Sequence, residues 1–254
     1  MNHPLLNHPL LLLVLSFVLL WLCAWMGWFF LARRWALEKD IHENFGYILG
    51  ASLTLLGLII GFSFSMAASR YDQRKNFEEQ EANAIGTEYL RAGLLPVADA
   101  AKVRALLKNY VAARIQFYQS GDEEQTRRIN ADTAQLQTGL WTSVIAPAPT
   151  QPTAMVALAV SGMNDVLNSQ GYTQAAWWNR IPTAAWFLMG IIAVVCNLLV
   201  GFGLQGARSG AKLLSVLPLL NAVAFMLIAD IDSPSRGIIR VVPQNLMSVA
   251  QSLQ

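Results

Sequence analysis

Residues 47–92 read YILGASLTLLGLIIGFSFSMAASRYDQRKNFEEQEANAIGTEYLRA. The first part, 47–69, is 23 residues long and carries no Asp, Glu, Lys or Arg. A helix needs about 20 apolar residues to cross a bilayer, so this part is long enough. The second part is dominated by Glu, Gln, Ala, Lys and Arg, which are strong helix formers, and no Pro occurs before Pro96. The spacing therefore predicts one helix that leaves the membrane and runs on to about residue 92. Gly93 and Pro96 supply its ending.

Three further stretches lack charge: 10–32, 181–207 and 213–229. Together with 47–69 they predict four membrane spans. The fourth has 17 residues and contains Pro218, so it reads as short or kinked, with a re-entrant segment as the alternative. The first lacks the basic leader, short apolar run and small-residue cleavage site of a signal peptide, and it ends in Trp25, Trp28, Phe29 and Phe30. It is expected to be a retained span with aromatic residues at the interface.

Composition agrees. Only 13% of the 254 residues are charged and 54% are hydrophobic, against about 25% charged in soluble domains. The charges are concentrated: 70–180 holds 11 basic and 11 acidic residues, close to the density of a soluble surface. This region reads as helical throughout, with apolar periodicity over 97–119, 122–145 and 153–170 and a Pro-rich connector at 146–152. The expected architecture is all-α, a single unit over 1–254, with a helical extramembrane bundle between spans 2 and 3.

The net charge of +2 says nothing about partners, but no strongly basic stripe is visible, so a nucleic-acid partner is not expected. Cys23 and Cys196 fall inside predicted spans, and the three His residues form no ligand spacing, so neither a disulfide, a metal site nor a cofactor is expected. No phosphate loop, nucleophile elbow or zinc motif is present, and the spans hold no clustered ionisable groups. An enzyme is therefore not expected.

The second span carries two features. Gly46, Gly50, Gly57 and Gly61 form G-x-x-x-G pairs, the pattern of close helix packing. Beside them runs a stripe of Thr54, Leu58, Phe62, Ser65, Met66 and Ser69, continued by Gln73, Asn76, Gln80, Asn83 and Thr87. It reads either as an ordinary core-facing side or as the lining of a gated conduit, an apolar constriction followed by an uncharged polar face. Arg70, Arg74 and Lys75 cluster at its membrane edge, as anchors or as an anion-attracting mouth, and nearby carboxylates nearly cancel them.

The run from Leu58 to Arg74, with Gly61-Phe62 and Arg70-Tyr71-Asp72-Gln73-Arg74, resembles the second membrane helix of bestrophins. It is more similar to a family of bacterial bestrophin-like membrane proteins. That likeness rests on 81–91, with Glu81, Asn83, Gly86, Tyr89 and Arg91, and on 230–241, with Asp230, Asp232, Pro234, Gly237 and Arg240. The resemblance implies a pentameric anion channel in the bacterial inner membrane, with both termini and 70–180 cytoplasmic. Basic residues near the span ends do not decide that orientation. It also implies a pore neck at Leu58 and Phe62, with Thr54 standing where a bulky apolar residue is expected. The motif Trp is missing, Arg74 is shifted by one place, and the dense acidic cluster that binds calcium in animal bestrophins is absent. The expected partners are the bilayer, further copies of the chain and small anions. The rival reading is a non-conducting membrane scaffold or sensor whose helical region binds another protein.

Overall fold

In a computed structural model the structure describes residues 8–31, 39–204, 213–234 and 237–253. The far ends of the expected first and third spans, at 32 and 205–207, and the charges Arg33, Arg34, Arg208, Lys212 and Arg236 lie outside them. Among the described residues every regular element is helical: α1 Pro9–Met26, followed by a π-helical Gly27–Leu31; α2 Lys39–Arg91; α3 Val97–Gln119; α4 Glu123–Ile145; α5 Ala154–Trp178; α6 Thr183–Gly203; α7 Val216–Asp232; and α8 Gln244–Ser252. The chain divides into two compact units, Met1–Ser69 with Arg180–Ile239, and Arg70–Asn179 with Arg240–Gln254.

In the first unit α1 packs on both α6 and α7. The α1–α6 crossing is made by two glycines. A Cβ on Gly27 would lie 2.1 Å from the Leu198 carbonyl oxygen, and one on Gly201 would lie 1.9 Å from that of Ala24. Only glycine allows that approach, and close backbone contact is how helices associate where lipid removes the hydrophobic drive. Leu20, Ala24, Met189, Ala193 and Cys196 are buried along the seam, while Phe187 and Ile191 point outward, as suits a surface wetted by hydrocarbon. Among the described residues, three stretches are long and apolar enough to cross a membrane: Pro9–Phe29, Phe45–Leu94 and Ala154–Gly203. The fourth expected segment forms α7, of 17 residues. Pro218 lies in its first turn, where a missing N–H breaks no helical hydrogen bond, so the expected kink does not arise.

The second unit is a helical bundle. Its core includes Ile85, Val103, Leu107, Tyr110, Leu140 and Met163. α3 spans the residues its periodicity predicts. α4 starts one residue after its Asp122 cap, whose carboxylate accepts from the Gln125 N–H at 3.1 Å, with Glu123 and Glu124 in the first turn. Two boundaries differ from expectation. Beyond α2 the chain closes with a 3₁₀ turn at Ala92–Leu94 rather than a glycine cap. α5 continues past Gly171 to Trp178. A mid-helix glycine costs about 1 kcal/mol, and burial of Thr173 and Ala176 just beyond it outweighs that cost.

Candidate pore-lining helix

α2 has two contrasting faces. Leu56, Ser63, Ala67, Arg74, Glu78, Glu81, Ile85 and Glu88 are buried. They recur at steps of three, four or seven, the spacing of one helix side. The other face holds the stripe singled out from sequence. Thr54, Leu58, Phe62, Ser65, Met66, Ser69, Gln73, Asn76, Gln80, Asn83 and Thr87 are all exposed in the chain. Leu58 is 51% and Phe62 62% accessible, so the core-facing alternative does not describe this side within one chain. The polar members Thr54, Ser65, Asn76 and Thr87 stand 11 residues apart. Eleven residues make about three helical turns, so the stripe runs nearly straight along the helix.

The stripe changes chemistry along its length. Leu58, Phe62 and Met66 form an apolar section. Thr54 turns its hydroxyl onto the Gly50 carbonyl at 2.9 Å, which occupies its polar group within its own helix. Beyond Met66 the stripe offers hydroxyls and amides and no charge. The glycines behave unexpectedly. A Cβ on Gly46, Gly50, Gly57 or Gly61 would meet nothing within 4 Å. Among the described residues the G-x-x-x-G pattern of α2 therefore packs against no other helix, and the close backbone crossing occurs at Gly27 and Gly201 instead.

The basic cluster separates. Arg74 is buried and donates from Nε to the Ala176 carbonyl at 3.2 Å and from Nη2 to that of Asn179 at 3.3 Å. It ties α2 to the end of α5 and is not an open mouth charge. Asp72 and Lys75 are exposed, and Arg70 and Tyr71 are half-buried.

The motif residues of 81–91 mostly face inward. Glu81 accepts from Arg114 Nε, from Arg114 Nη2 at 3.4 Å, from the Tyr118 hydroxyl at 3.4 Å and from Thr173 Oγ1 at 3.1 Å. Arg114 also lies over the Phe117 ring at 4.4 Å. Burial, reinforced by the Glu81 charge, pushes the Tyr110 and Tyr118 hydroxyls above the usual tyrosine range. Tyr89 reaches the Leu253 carbonyl at 3.5 Å, a Cβ on Gly86 would meet the Val249 side chain at 3.7 Å, and Arg91 pairs with Asp165 at 3.8 Å. Of this group only Asn83 belongs to the exposed stripe.

The acidic motif at the end of α7 clasps the loop that follows. Asp230 accepts from the N–H groups of Ile238 and Ile239 at 2.7 and 2.9 Å. Asp232 accepts from that of Ile181 at 3.1 Å. A Cβ on Gly237 would lie 2.5 Å from the Asp230 carbonyl oxygen, so glycine lets the loop fold back. Pro234 is buried beside it and Arg240 is exposed.

Sequence reasoning missed two carboxylates. Glu78 accepts from the Leu246 N–H at 2.9 Å and from Asn245 Nδ2 at 2.7 Å, which fixes the start of α8. Glu88 is buried with no hydrogen bond to either oxygen, and a Cβ on Gly162 would overlap it at 2.1 Å. Burial pushes its carboxyl up to about 8, with Arg91 opposing and Asp165 adding. The signal was available: Arg74, Glu78, Glu81 and Glu88 share the helical side of Leu56, Ser63 and Ala67.

A structure of a variant of a bacterial Bestrophin homolog from Klebsiella pneumoniae superposes with a TM-score of 0.69 at 13% identity, covering 100% of this chain and 98% of that one. The same homolog solved by zinc phasing gives 0.64 at 12%, over 95% and 98%. A crystal structure described only as a membrane protein gives 0.64 at 14%, over 94% and 98%. These likenesses establish the fold. No curated protein matches the chain. The model of the Bestrophin-like domain matches residues 14–246, and the chain therefore belongs to the Bestrophin-like family.

Proposed function

We propose that the chain is one subunit of a homo-oligomeric anion channel, a pentamer in the bacterial inner membrane, whose second membrane helix lines the pore. The observation that carries this reading is the exposed stripe of α2. Eleven residues on one straight side of a 53-residue helix find no cover among the described residues, and their chemistry passes from apolar to amide and hydroxyl. An apolar ring at Leu58 and Phe62 gates by dewetting, and the polar groups beyond it replace part of an ion's hydration. The stripe holds no carboxylate, so an anion meets no fixed negative charge on it. In this reading α1, the first part of α2, α6 and α7 are the four spans. The termini and the helical bundle of 70–180 are cytoplasmic.

Two measurements on the full chain test the reading. Mass determination in detergent is expected to give a pentamer. Reconstituted protein in planar bilayers is expected to carry anion current that rises in Leu58→Ala or Phe62→Ala. A stable monomer with silent bilayers overturns it in favour of a scaffold.

A further inference from the structure

Arg91 is shared by two carboxyl groups. It lies in the last turn of α2, three residues after Glu88 on the same helix. Its Nη1 is 3.8 Å from Asp165 Oδ2 of α5. The same nitrogen borders the notch that Gly162 leaves in α5. A Cβ on Gly162 would lie 2.6 Å from Arg91 Nη1 and 2.1 Å from Glu88 Oε2. Those two atoms are therefore within about 5 Å of each other, close enough for the charge on one to act strongly on the other.

The two carboxyls have opposite settings. Glu88 is fully buried and neither of its oxygens has a hydrogen-bond partner, whereas the Asp165 side chain is 63% exposed. The charges that act on Glu88 are Arg91 of its own helix and Asp165 of α5. Arg104 of α3 is held by the Tyr89 carbonyl, to which its Nε donates at 3.2 Å. The 3₁₀ turn Ala92–Leu94 and α8 hold no ionisable side chain.

This inequality decides where Arg91 goes. A neutral Glu88 makes no demand on a cation, and Arg91 then joins α2 to α5 through Asp165. A charged Glu88 without a partner is a heavily penalised buried carboxylate. An exposed ion pair such as Arg91–Asp165 contributes little, so giving it up costs little. Once the proton leaves Glu88, trading the exposed pair for the buried one is favourable. A side chain three residues away on the same helix reaches its partner without backbone change, and Gly162 leaves the space in which they meet.

We propose that Glu88, Arg91 and Asp165 form a proton-operated switch at the α2–α5 contact: Arg91 pairs with Asp165 while Glu88 is protonated, and turns back onto Glu88 when the proton is lost, untying the last turn of α2 from α5. Burial, which pushes the Glu88 carboxyl up to about 8, sets the pH of the transition. All three residues lie in the second unit, so the switch stands or falls separately from conduction along α2.

The test is a pair of crystal structures of the full chain, at about pH 6 and about pH 9.5, on either side of the transition. At the lower pH Arg91 is expected to pair with Asp165. At the higher pH it is expected to hydrogen-bond Glu88 and to stand out of reach of Asp165. Glu88→Gln, which keeps the shape and cannot ionise, is expected to retain the Asp165 pairing at both values. In solution, infrared difference spectroscopy is expected to show the carboxylic-acid C=O stretch of Glu88 disappearing with a midpoint near pH 8. Arg91→Gln is expected to raise that midpoint by at least about one unit. Retention of the Asp165 pairing at the higher pH in the unaltered chain, its loss there in folded Glu88→Gln, or an infrared midpoint that Arg91→Gln leaves in place overturns the proposal. The first of these needs no substitution, so it decides the matter even if a variant fails to fold.

Discussion

Phe62 and Ser63 are sequence neighbours in α2 with opposite environments: the phenylalanine is 62% accessible and the serine 4%. A soluble helix would place them the other way round. Along this stretch of α2, Ser63 and Ala67 are turned inward and Leu58, Phe62 and Met66 outward. The inversion begins inside the membrane-spanning part, and the exposed side continues as amides and hydroxyls at Gln73, Asn76, Gln80 and Asn83.

The inward side depends on Glu81 and Arg114, both fully buried. Removing one partner leaves the other charge unpaired, and Arg114→Met is expected to destabilise the chain by about 3–5 kcal/mol. The pair Glu81→Gln with Arg114→Met keeps an acceptor for Tyr118 and Thr173 and is expected to recover most of that loss. Thermal unfolding in detergent checks both. Equal losses in the single and double variants would contradict the argument.

Glycine has opposite roles in α2 and at the α1–α6 crossing. Gly201→Ala places a Cβ 1.9 Å from the Ala24 carbonyl oxygen and must push α1 away from α6. The expected cost is about 1–3 kcal/mol. Gly57→Ala meets nothing within 4 Å in the chain and is expected to leave the subunit fold intact, with a helix-propensity gain of up to about 1 kcal/mol. Midpoints of thermal unfolding for the two variants are expected to shift in opposite directions.

Glu88 supplies a pH dependence. Its folded carboxyl titrates near 8, against an ordinary 4.5. Between those values the folded chain holds a proton that the unfolded chain has released. Its contribution to stability is therefore full below about pH 4.5 and is lost as pH rises through 8. The slope within that window is at most about 1.4 kcal/mol per pH unit. Glu88→Gln is expected to flatten this part of the stability–pH profile and to raise the unfolding midpoint at pH 9. An unchanged profile would place the carboxyl in a wetter setting.

α8 is held at its start by Glu78. Glu78→Ala leaves the Leu246 N–H and the Asn245 amide without their acceptor and is expected to cost about 1–3 kcal/mol locally. Hydrogen exchange over 244–252 is expected to rise first, ahead of any change in the core of α3 and α4.

Much of this architecture was legible from residue pattern. The long helix through 47–92, the boundaries of α3 and α4, and the stripe from Thr54 to Thr87 follow from periodicity, caps and charge-free length. What could not be read was partnership across the chain. A G-x-x-x-G pattern in α2 is visible in one dimension, but whether another backbone comes close depends on where α1 crosses α6. Arg74 read as a membrane-edge anchor or a mouth charge because a span end favours cations, yet the carbonyls that bind it lie about a hundred residues away, at Ala176 and Asn179. The residue pattern also names no partner for Glu78 or Glu81 and no surroundings for Glu88, because these lie on other helices. Their shared side with Ser63 and Ala67 was the available clue.

The most direct test of the outward side is thiol modification along α2 during current recording. In a background with Cys23→Ser and Cys196→Ala, cysteine is placed singly at Leu58, Phe62 and Gln73 on the exposed stripe and at Ser63 and Ala67 on the buried one. A negatively charged thiol reagent is expected to block current in Leu58→Cys, Phe62→Cys and Gln73→Cys and to leave Ser63→Cys and Ala67→Cys unaffected. Block without that helical periodicity, or no block at the three stripe positions in a conducting protein, would contradict a pore lined by α2.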